Sequence, residues 1–457
     1  MEFSPQTSPR FLAFRDKLAD GTSTLIVLQI ATLIARFAST LILSRIFTPD
    51  VYGAVAIVTS VFFVLNMASD MGLNTYITRH PTGTPDVLRT LWTARIVRNV
   101  FLALVLIIGG PTFAKLYNAP HLATAIQVLA ASLALEAATS MSFITGIREQ
   151  RVIRISILEF IIAVATIIFT IIAAIQLKSY WAVIYGMLFG AALRVVFSYS
   201  SIPCVSMRLH WSWDELKLYW QYLRIVIPAS IIAIVLTQLD RFYLANFFPL
   251  DELGKFTLAA TLTAAGAQLV SQYRQRVFFP KLAGQIRDDL AKSKEVYYAL
   301  RRRFTLVMAF LLGGLIGSAE FVIRLLYNDN YLGAEYYLAL TAILPLATLI
   351  TQPAESALVT IGKYSVALTG KIIRLGWVVV GGLGAFYLFS PRAVIVALSL
   401  TELAALPYML WRLRQAGFFK AQEELYIVAA AFLGIAIGLL GNFGIESLVS
   451  IGFLPRF

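Results

Sequence analysis

The chain is poor in charged residues. Only 14% of its 457 residues are charged, 59% are hydrophobic and the mean hydropathy is +0.76, whereas about a quarter of the residues of a soluble globular protein are charged. This composition excludes a disordered chain and argues against a soluble enzyme, because too few polar side chains are present to cover a globule of this size. We therefore predict an all-α polytopic membrane protein.

Cysteine and histidine are nearly absent. The single Cys204 excludes an intramolecular disulfide, and His80, His121 and His210 lie far apart with no cysteine beside them. No Walker P-loop pattern occurs, and the glycines of 381–384 stand inside an apolar stretch, where helix packing explains them. We expect no metal site and no cofactor. The first hydrophobic segment is too long for a cleavable signal peptide, so none is expected.

Thirteen apolar segments are long enough to span a bilayer as helices. They are 22–46, 51–72, 91–111, 122–145, 155–176, 180–202, 224–247, 256–276, 304–327, 336–358, 365–389, 393–411 and 425–441. The apolar stretch 445–454 is too short to span. All thirteen are predicted as helices because hydrocarbon does not satisfy unpaired backbone groups.

The basic residues alternate from loop to loop. Connections on the side of the N-terminus hold 28 Lys and Arg, and those on the opposite side hold eight. The positive-inside rule then predicts a cytoplasmic N-terminus. The net charge of +13 thus reflects cytoplasmic loops, and no nucleic-acid partner is expected. The opposite loops are too short for an enzyme that polymerises or ligates sugars outside the cell.

A short pattern recurs along the chain. Residues 46–53 and 247–254 share Phe, Asp and Gly at an offset of 201, and the pair 145–147 and 361–363 fits an offset of 216. Each half holds six segments, so the halves share one orientation and form a parallel repeat about an axis along the membrane normal. Chance similarity between apolar helices is the alternative.

The repeat and the loops together predict the domain organisation. It comprises a cytoplasmic amphipathic segment (1–21), an N-terminal six-helix lobe (22–202), a cytoplasmic interfacial linker (203–223), a C-terminal six-helix lobe (224–411) and one or more extra spans (412–457). The first segment and the linker are basic and aromatic, which suits helices lying at the membrane surface.

Two stretches resemble a known family. Leu43-Ser-Arg-Ile-Phe-Thr-Pro-Asp-Val-Tyr-Gly-Ala, with Ser-Asp-Met-Gly-Leu at 69–73, is similar to the opening of the polysaccharide-transport flippases, and so is the stretch 238–280. These flippases belong to the multidrug/oligosaccharidyl-lipid/polysaccharide exporter superfamily, and the resemblance covers about residues 10–415. It implies two six-helix lobes around a central cavity, 12–14 transmembrane helices, alternating access and a lipid-linked oligosaccharide as substrate. The thirteenth segment departs from the family's usual twelve or fourteen.

Four arginines within the predicted spans are candidate substrate-binding residues. A charge at the bilayer centre costs about 2.5–3.5 kcal/mol, so each requires a reason. A polyprenyl pyrophosphate brings negative charge into the membrane, and arginine holds phosphate oxygens in two-pronged hydrogen bonds. These arginines are Arg36, Arg95, Arg98 and Arg194. An ion pair is the alternative for Arg36, and snorkelling to the headgroups is the alternative for the other three.

Acidic residues within the spans are candidates for coupling to a proton or sodium ion. Glu136, Glu159 and Asp240 are predicted for this role, because burial favours proton carriage by a carboxylate. Static pairing with Arg36, Arg194 or Arg154 is the alternative for the two glutamates, and a structural role is the alternative for Asp240. Glu355 and Glu402 are further candidates.

The leading functional hypothesis is a flippase that moves a polyprenyl-pyrophosphate-linked oligosaccharide from the inner to the outer leaflet of a prokaryotic cytoplasmic (inner) membrane, for lipopolysaccharide or exopolysaccharide synthesis. Its expected partners are membrane lipids and polysaccharide-assembly enzymes. A multidrug and toxin extrusion antiporter would require an anionic cavity, so the sign of the intramembrane charge distinguishes the two. A flippase for the lipid-linked peptidoglycan precursor and a non-transporting scaffold remain further alternatives. An enzyme is not expected, because no nucleophile–base constellation is evident.

Overall fold

The computed structural model of the protein describes residues 21–70, 72–73, 76–77, 84–149, 151–202, 205–389 and 391–450. These residues are helical almost throughout, and no strand occurs among them. The predicted all-α fold is therefore confirmed. The predicted amphipathic segment 1–21 lies, except for its last residue, outside the described residues.

The helices follow one another with short connections. The first eight are α1 (Gly21–Ile46), α2 (Pro49–Asp70), α3 (Pro85–Leu116), α4 (Ala123–Ala138), α5 (Ser142–Arg148), α6 (Val152–Leu177), α7 (Trp181–Ser200) and α8 (Trp213–Phe247). The next are α9 (Leu250–Tyr273), α10 (Phe279–Asp288), α11 (Leu290–Gly317), α12 (Ala319–Leu326), α13 (Ala334–Thr341), α14 (Ile343–Thr360), α15 (Tyr364–Gly376), α16 (Gly382–Leu388), α17 (Pro391–Ser399), α18 (Thr401–Gln415) and α19 (Ala421–Ser450). Single π-helical turns, Arg274–Phe278 and Trp377–Gly381, precede α10 and α16.

Ten helical segments of the described residues are long and apolar enough to cross a membrane, and a bent pair of helices makes an eleventh. The chain is thus a multi-pass membrane protein, as predicted. Two further long helices, α8 and α9, cover the predicted seventh and eighth segments.

The predicted ninth span, 304–327, is bent. Its two parts, 293–317 and 319–326, meet at an angle of 74° around Ser318. The hydroxyl of Ser318 donates a hydrogen bond to the carbonyl of Gly314 at 2.7 Å, a back-bonding that favours a bend.

The predicted fourth span is interrupted between α4 and α5. The hydroxyls of Ser140 and Ser142 donate to the carbonyl of Ser198 on α7 at 2.7 and 2.6 Å. The amide of Ser140 donates to the hydroxyl of Ser198 at 3.0 Å. The break leaves backbone groups without their helical hydrogen-bond partners, and bonds to Ser198 replace those partners. Irregular backbone is tolerated at membrane depth when its polar groups are bonded within the protein in this way.

The chain divides into two compact units. The first consists of residues up to Phe47 together with Val58–Ile231, and the second of Thr48–Ile57 together with Ile232–Phe457. The core of the first unit includes Leu73, Ile77, Val87, Leu88, Leu91, Met141, Ile144 and Tyr219. That of the second includes Phe278, Leu282, Tyr297, Tyr298, Ala354, Ala357, Leu358, Val366, Met409, Leu413 and Phe418.

Within the second unit, the two copies of the repeated loop pattern pack against each other. A Cβ added to Gly53 would lie 2.0 Å from the carbonyl oxygen of Leu250, and one added to Gly254 would lie 1.8 Å from that of Pro49. Positions 49 and 250 also correspond at the offset of 201, so the contact is reciprocal. Only glycine permits backbones to approach this closely. The six-helix repeat itself stays a prediction.

The predicted extra span, α19, packs tightly on α11. A Cβ on Gly313 would lie 2.1 Å from the carbonyl oxygen of Ala431, and one on Gly434 would lie 2.2 Å from that of Phe310. Glycines on both helices therefore permit backbone contact, as in small-residue packing of membrane helices. Gly313 serves this close packing, whereas the bend lies at Ser318.

Candidate functional site

A cavity of about 550 Å³ lies within the first unit. Five of the seven predicted site residues line it. They are Arg95, Arg98, Glu136, Glu159 and Arg194. Most of the other lining side chains are apolar, so these charges stand in a wall that is otherwise mainly hydrophobic.

Helix α3 contributes Arg95 and Arg98, which are three residues apart and therefore neighbours on one face. The side chain of Arg95 is only 9% exposed. Its Nε and Nη2 atoms donate no hydrogen bond to any described residue. It is attracted by Glu136 and repelled by Arg98 and Arg194. Because leaving a buried charged donor unbonded is costly, Arg95 is suited to donating hydrogen bonds to an anion in the cavity.

Glu159 on α6 and Arg194 on α7 form an ion pair at the cavity wall. Nη2 of Arg194 lies 2.7 Å from Oε1 of Glu159, and its guanidinium lies 5.4 Å from the ring centre of Phe143. The side chains of Arg194 and Glu159 are 44% and 50% exposed. The sequence left open which arginine pairs with Glu159, and in the structure the partner is Arg194.

Small residues bring the two helices of this pair together. A Cβ on Gly186 would lie 2.0 Å from Oγ1 of Thr170, and one on Gly190 would lie 2.6 Å from Oγ1 of Thr166. Both glycines and Arg194 are four residues apart in turn, so they share one face of α7. This face packs on α6 and brings Arg194 within reach of Glu159.

Glu136 occupies the end of α4, just before the break that places Thr139 and Ser140 in the cavity wall. Its Oε2 atom accepts a hydrogen bond from Nδ2 of Asn66 on α2 at 3.3 Å. Sequence analysis missed Asn66, because an uncharged amide in an apolar segment did not stand out among the charges. The feature that could have identified Asn66 is a polar side chain within a predicted membrane span.

The other two predicted residues lie elsewhere. Arg36 is exposed on α1 and is not among the described residues that line this cavity. Asp240 belongs to the second unit, where Oδ1 accepts a hydrogen bond from the backbone amide of Arg241 at 2.8 Å. The roles predicted for both residues stay predictions.

The charges of the cavity sum to a positive value, because three arginines face two glutamates. A cationic, largely apolar cavity is complementary to an anionic group attached to an apolar molecule. Among the described residues, no group of three or more His, Cys, Asp or Glu side chains is placed to hold a metal ion.

A family model described as polysaccharide biosynthesis protein matches residues 42–335. The chain belongs to this family. One relative is the succinoglycan biosynthesis transport protein ExoT of Rhizobium meliloti, 19% identical over 308 residues, which are 67% of this chain and 62% of that protein. The chain thus spans less than two thirds of that relative. An uncharacterized membrane protein in the cps region of Klebsiella pneumoniae is 22% identical over 356 residues, 76% of this chain and 72% of that protein.

Solved structures similar to this one include the lipid II flippase MurJ in an inward closed conformation. Its TM-score is 0.68 at 10% identity, covering 93% of this chain and 99% of that chain. An outward-facing multidrug resistance transporter of the MATE family has a TM-score of 0.55 at 14% identity, covering 87% and 96%. At these identities the likeness shows the fold. The family match thus confirms the resemblance found in the sequence, and the chain shares the fold of these solved structures.

Proposed function

We propose that the protein is a flippase that moves a polyprenyl-pyrophosphate-linked oligosaccharide from the cytoplasmic to the outer leaflet of the cytoplasmic membrane, with its N-terminus in the cytoplasm. The proposal is supported by the family and by a relative named as a succinoglycan transport protein. The observation that carries it is the cationic cavity of the first unit, with the buried guanidinium of Arg95.

The chemistry of that cavity suits a pyrophosphate. Arg95 has two guanidinium nitrogens that donate no hydrogen bond to described residues, and Arg98 and Arg194 add positive charge to the same wall. A phosphate bonded to several arginines gains charge-assisted hydrogen bonds in an environment of low dielectric constant. The apolar part of the wall suits the lipid portion of the same molecule.

Glu136 and Glu159 are the residues that we propose to bind the ion that drives transport. Each carboxylate lies beside arginines that the substrate would engage. When the pyrophosphate occupies the arginines, it competes for hydrogen bonds such as the one that Arg194 donates to Glu159, which leaves carboxylate oxygens available to a proton or sodium ion. We propose antiport of such an ion, with alternating access of the cavity to the two leaflets.

The test uses a strain in which the gene is deleted and replaced by wild type, Arg95→Gln or the control Arg324→Gln. Arg324 pairs with Glu320 one helical turn away and is half exposed. Membrane abundance is matched by immunoblot, and surface polysaccharide is measured together with lipid-linked oligosaccharide retained on the cytoplasmic leaflet. We expect Arg95→Gln to lower surface polysaccharide at least about tenfold, because a hydrogen bond to a charged group contributes roughly 1.5–3 kcal/mol. The control should match wild type.

The same strains distinguish the alternatives. Unchanged polymer and precursor in the deletion strain would contradict the proposal, and increased sensitivity to cationic drugs would then favour a multidrug antiporter. Accumulation of the lipid-linked peptidoglycan precursor in the deletion strain would indicate that this precursor is the substrate of the flippase. An Arg36→Ala strain tests the predicted role of Arg36, which fails if that variant makes normal amounts of surface polysaccharide.

A further inference from the structure

The break between α4 and α5 is held by side chains of the two helices that carry the cavity arginines. Nε1 of Trp92 on α3 donates a hydrogen bond to the carbonyl of Thr139 at 3.1 Å. The hydroxyl of Tyr199 on α7 donates to the carbonyl of Ala138 at 2.8 Å. Both α3 and α7 are therefore bonded to the end of α4.

The helix itself does not supply these hydrogen bonds. In a continuous helix the amide of Ser142 would donate to the carbonyl of Ala138, but here it donates to Oγ of Ser140 at 3.2 Å. The amide of Ser140 in turn donates to Oγ of Ser198 on α7 at 3.0 Å. A backbone carbonyl left without a donor inside a membrane protein is costly. The break thus depends on donors from α3 and α7.

The same faces of α3 and α7 present the arginines. Trp92 lies three residues before Arg95, and Ser198 lies four residues after Arg194, so the members of each pair are neighbours on their helix. The guanidinium of Arg194 also lies 5.4 Å from the ring centre of Phe143, in the first turn of α5 directly after the break. The geometry of the break therefore affects where both arginines stand in the cavity.

The broken segment also contributes directly to the cavity wall. Glu136, Thr139, Ser140 and Phe143 all line the cavity. Glu136 is two residues before the end of α4, and its Oε2 atom accepts a hydrogen bond from Nδ2 of Asn66 on α2 at 3.3 Å. One short segment, 136–143, thus joins α2, α3 and α7 around the cavity.

We propose that Trp92 and Tyr199 are positioning residues: through the break they set the spacing of Arg95, Arg194 and Glu136, and with it the affinity of the cavity for a pyrophosphate group. Neither Trp92 nor Tyr199 is among the described residues that line the cavity, so each acts through the carbonyl group that it holds. Donors held in place before the ligand arrives bind it more tightly, because less freedom is lost on binding. The class of ligand rests on the proposed function.

The test measures the dissociation constant of the purified full-length protein in detergent for geranylgeranyl pyrophosphate, a probe with a pyrophosphate and an apolar chain. Geranylgeraniol, which lacks the charge, is the control ligand. Tyr199→Phe removes the hydroxyl donor and Trp92→Phe the indole donor. Each should weaken binding of the pyrophosphate about three- to tenfold, a factor typical of one lost hydrogen bond. The control Tyr185→Phe removes a hydroxyl from the same helix as Tyr199, where its ring stacks on that of Trp181, and should bind like wild type.

A double variant separates positioning from a general loss of structure. In the Arg95→Gln protein, the addition of Trp92→Phe should change the dissociation constant less than about twofold, because the arginine that Trp92 positions is gone. An equal factor in both backgrounds would overturn the inference, since Trp92 would then only support the fold. Hydrogen–deuterium exchange of segment 136–148 monitors the break without the probe. It should be faster in Trp92→Phe and Tyr199→Phe but not in Tyr185→Phe.

Unchanged exchange in both variants would overturn the inference, as would faster exchange with an unchanged dissociation constant. If Tyr199→Phe does not fold, Trp92→Phe decides the outcome by the same two measurements. A wild-type protein that does not bind geranylgeranyl pyrophosphate would refute the cationic site of the proposed function, and this inference with it. A wild-type protein that binds the probe no better than the two variants do would refute the positioning role alone.

Discussion

Each unit has an arginine–glutamate ion pair between two consecutive predicted spans. The glutamate comes first along the chain in one unit, and the arginine comes first in the other. In the first, Glu159 stands on the predicted fifth span and Arg194 on the sixth; in the second, Arg374 stands on the predicted eleventh span and Glu402 on the twelfth. The ion-pair distances are similar, 2.7 and 2.9 Å. Their surroundings differ, because the first pair is about half exposed at a cavity and the second is largely enclosed.

The neighbouring charges, and not the ion pair itself, determine what a charged site can bind. Around the first pair arginines outnumber acids, which suits an anion. Around the second pair Glu355 adds a second carboxylate and the nearby Arg274 adds a second positive charge, so acids and arginines balance. Burial also changes what each charge contributes to stability, since exposed pairs contribute little and the loss of one partner of an enclosed pair is costly.

The largest effect is expected at the most enclosed pair of the second unit, Arg301 with Glu424, whose side chains are 1% and 8% exposed. Glu424→Ala should lower the free energy of unfolding by about 3–5 kcal/mol, because Arg301 is left charged and buried. Unfolding in detergent followed by circular dichroism measures this. The control Glu423→Ala removes the partner of the half-exposed Arg302 and should change stability by about 1 kcal/mol or less. Equal effects would contradict the comparison.

A smaller effect is expected where helix packing creates the first pair. Gly186→Ala would place its Cβ 2.0 Å from Oγ1 of Thr170, so Thr170 must change its rotamer or α6 and α7 must separate. We expect a loss of about 1–3 kcal/mol, typical of overpacking, and a weaker contact between Glu159 and Arg194. In Gly384→Ala the new Cβ meets nothing within 4 Å, so that control should not be destabilised. A Gly186→Ala protein as stable as wild type would refute this account of the packing.

Removal of the half-exposed pair between Glu159 and Arg194 should affect transport more than stability. Arg194→Gln should change the free energy of unfolding by about 1 kcal/mol or less, because the pair is half exposed. Surface polysaccharide in the complemented deletion strain should nevertheless fall, because the cavity loses a positive charge. A large stability loss with normal polysaccharide would show that the pair is structural.

The smallest effect is expected when the order of the first pair is exchanged. Glu159→Arg combined with Arg194→Glu places arginine and glutamate in the order of the second unit and keeps the charge of the cavity. Stability should stay within about 0.5 kcal/mol of wild type. Surface polysaccharide should exceed that of Arg194→Glu alone, which reverses a charge without compensation. If the double and single variants are equally defective, the position of the charge matters rather than its sum.

Sequence reasoning identified the charged residues of the cavity but not their partners. Arg95, Glu136 and Glu159 stood out because a charge within a predicted span is rare. Asn66 did not stand out. The pairing of Glu159 with Arg194 remained open as well, because a helix that is apolar all round does not reveal which face is buried. The bend at Ser318 was not predicted either, and the nearby Gly313 serves close packing with α19.

The amino-acid sequence was sufficient to give the class of the protein and the helical character of its apolar segments. Hydrocarbon requires every backbone group to be bonded within the protein, so a long apolar segment has essentially one conformation available. The tertiary structure alone decided which charges meet, because helix approach depends on contacts such as Gly186 with Thr170, which join segments distant in the chain. It also separated an open cationic cavity from an enclosed cluster of ion pairs, since exposure is a property of the packed helices and not of any one of them.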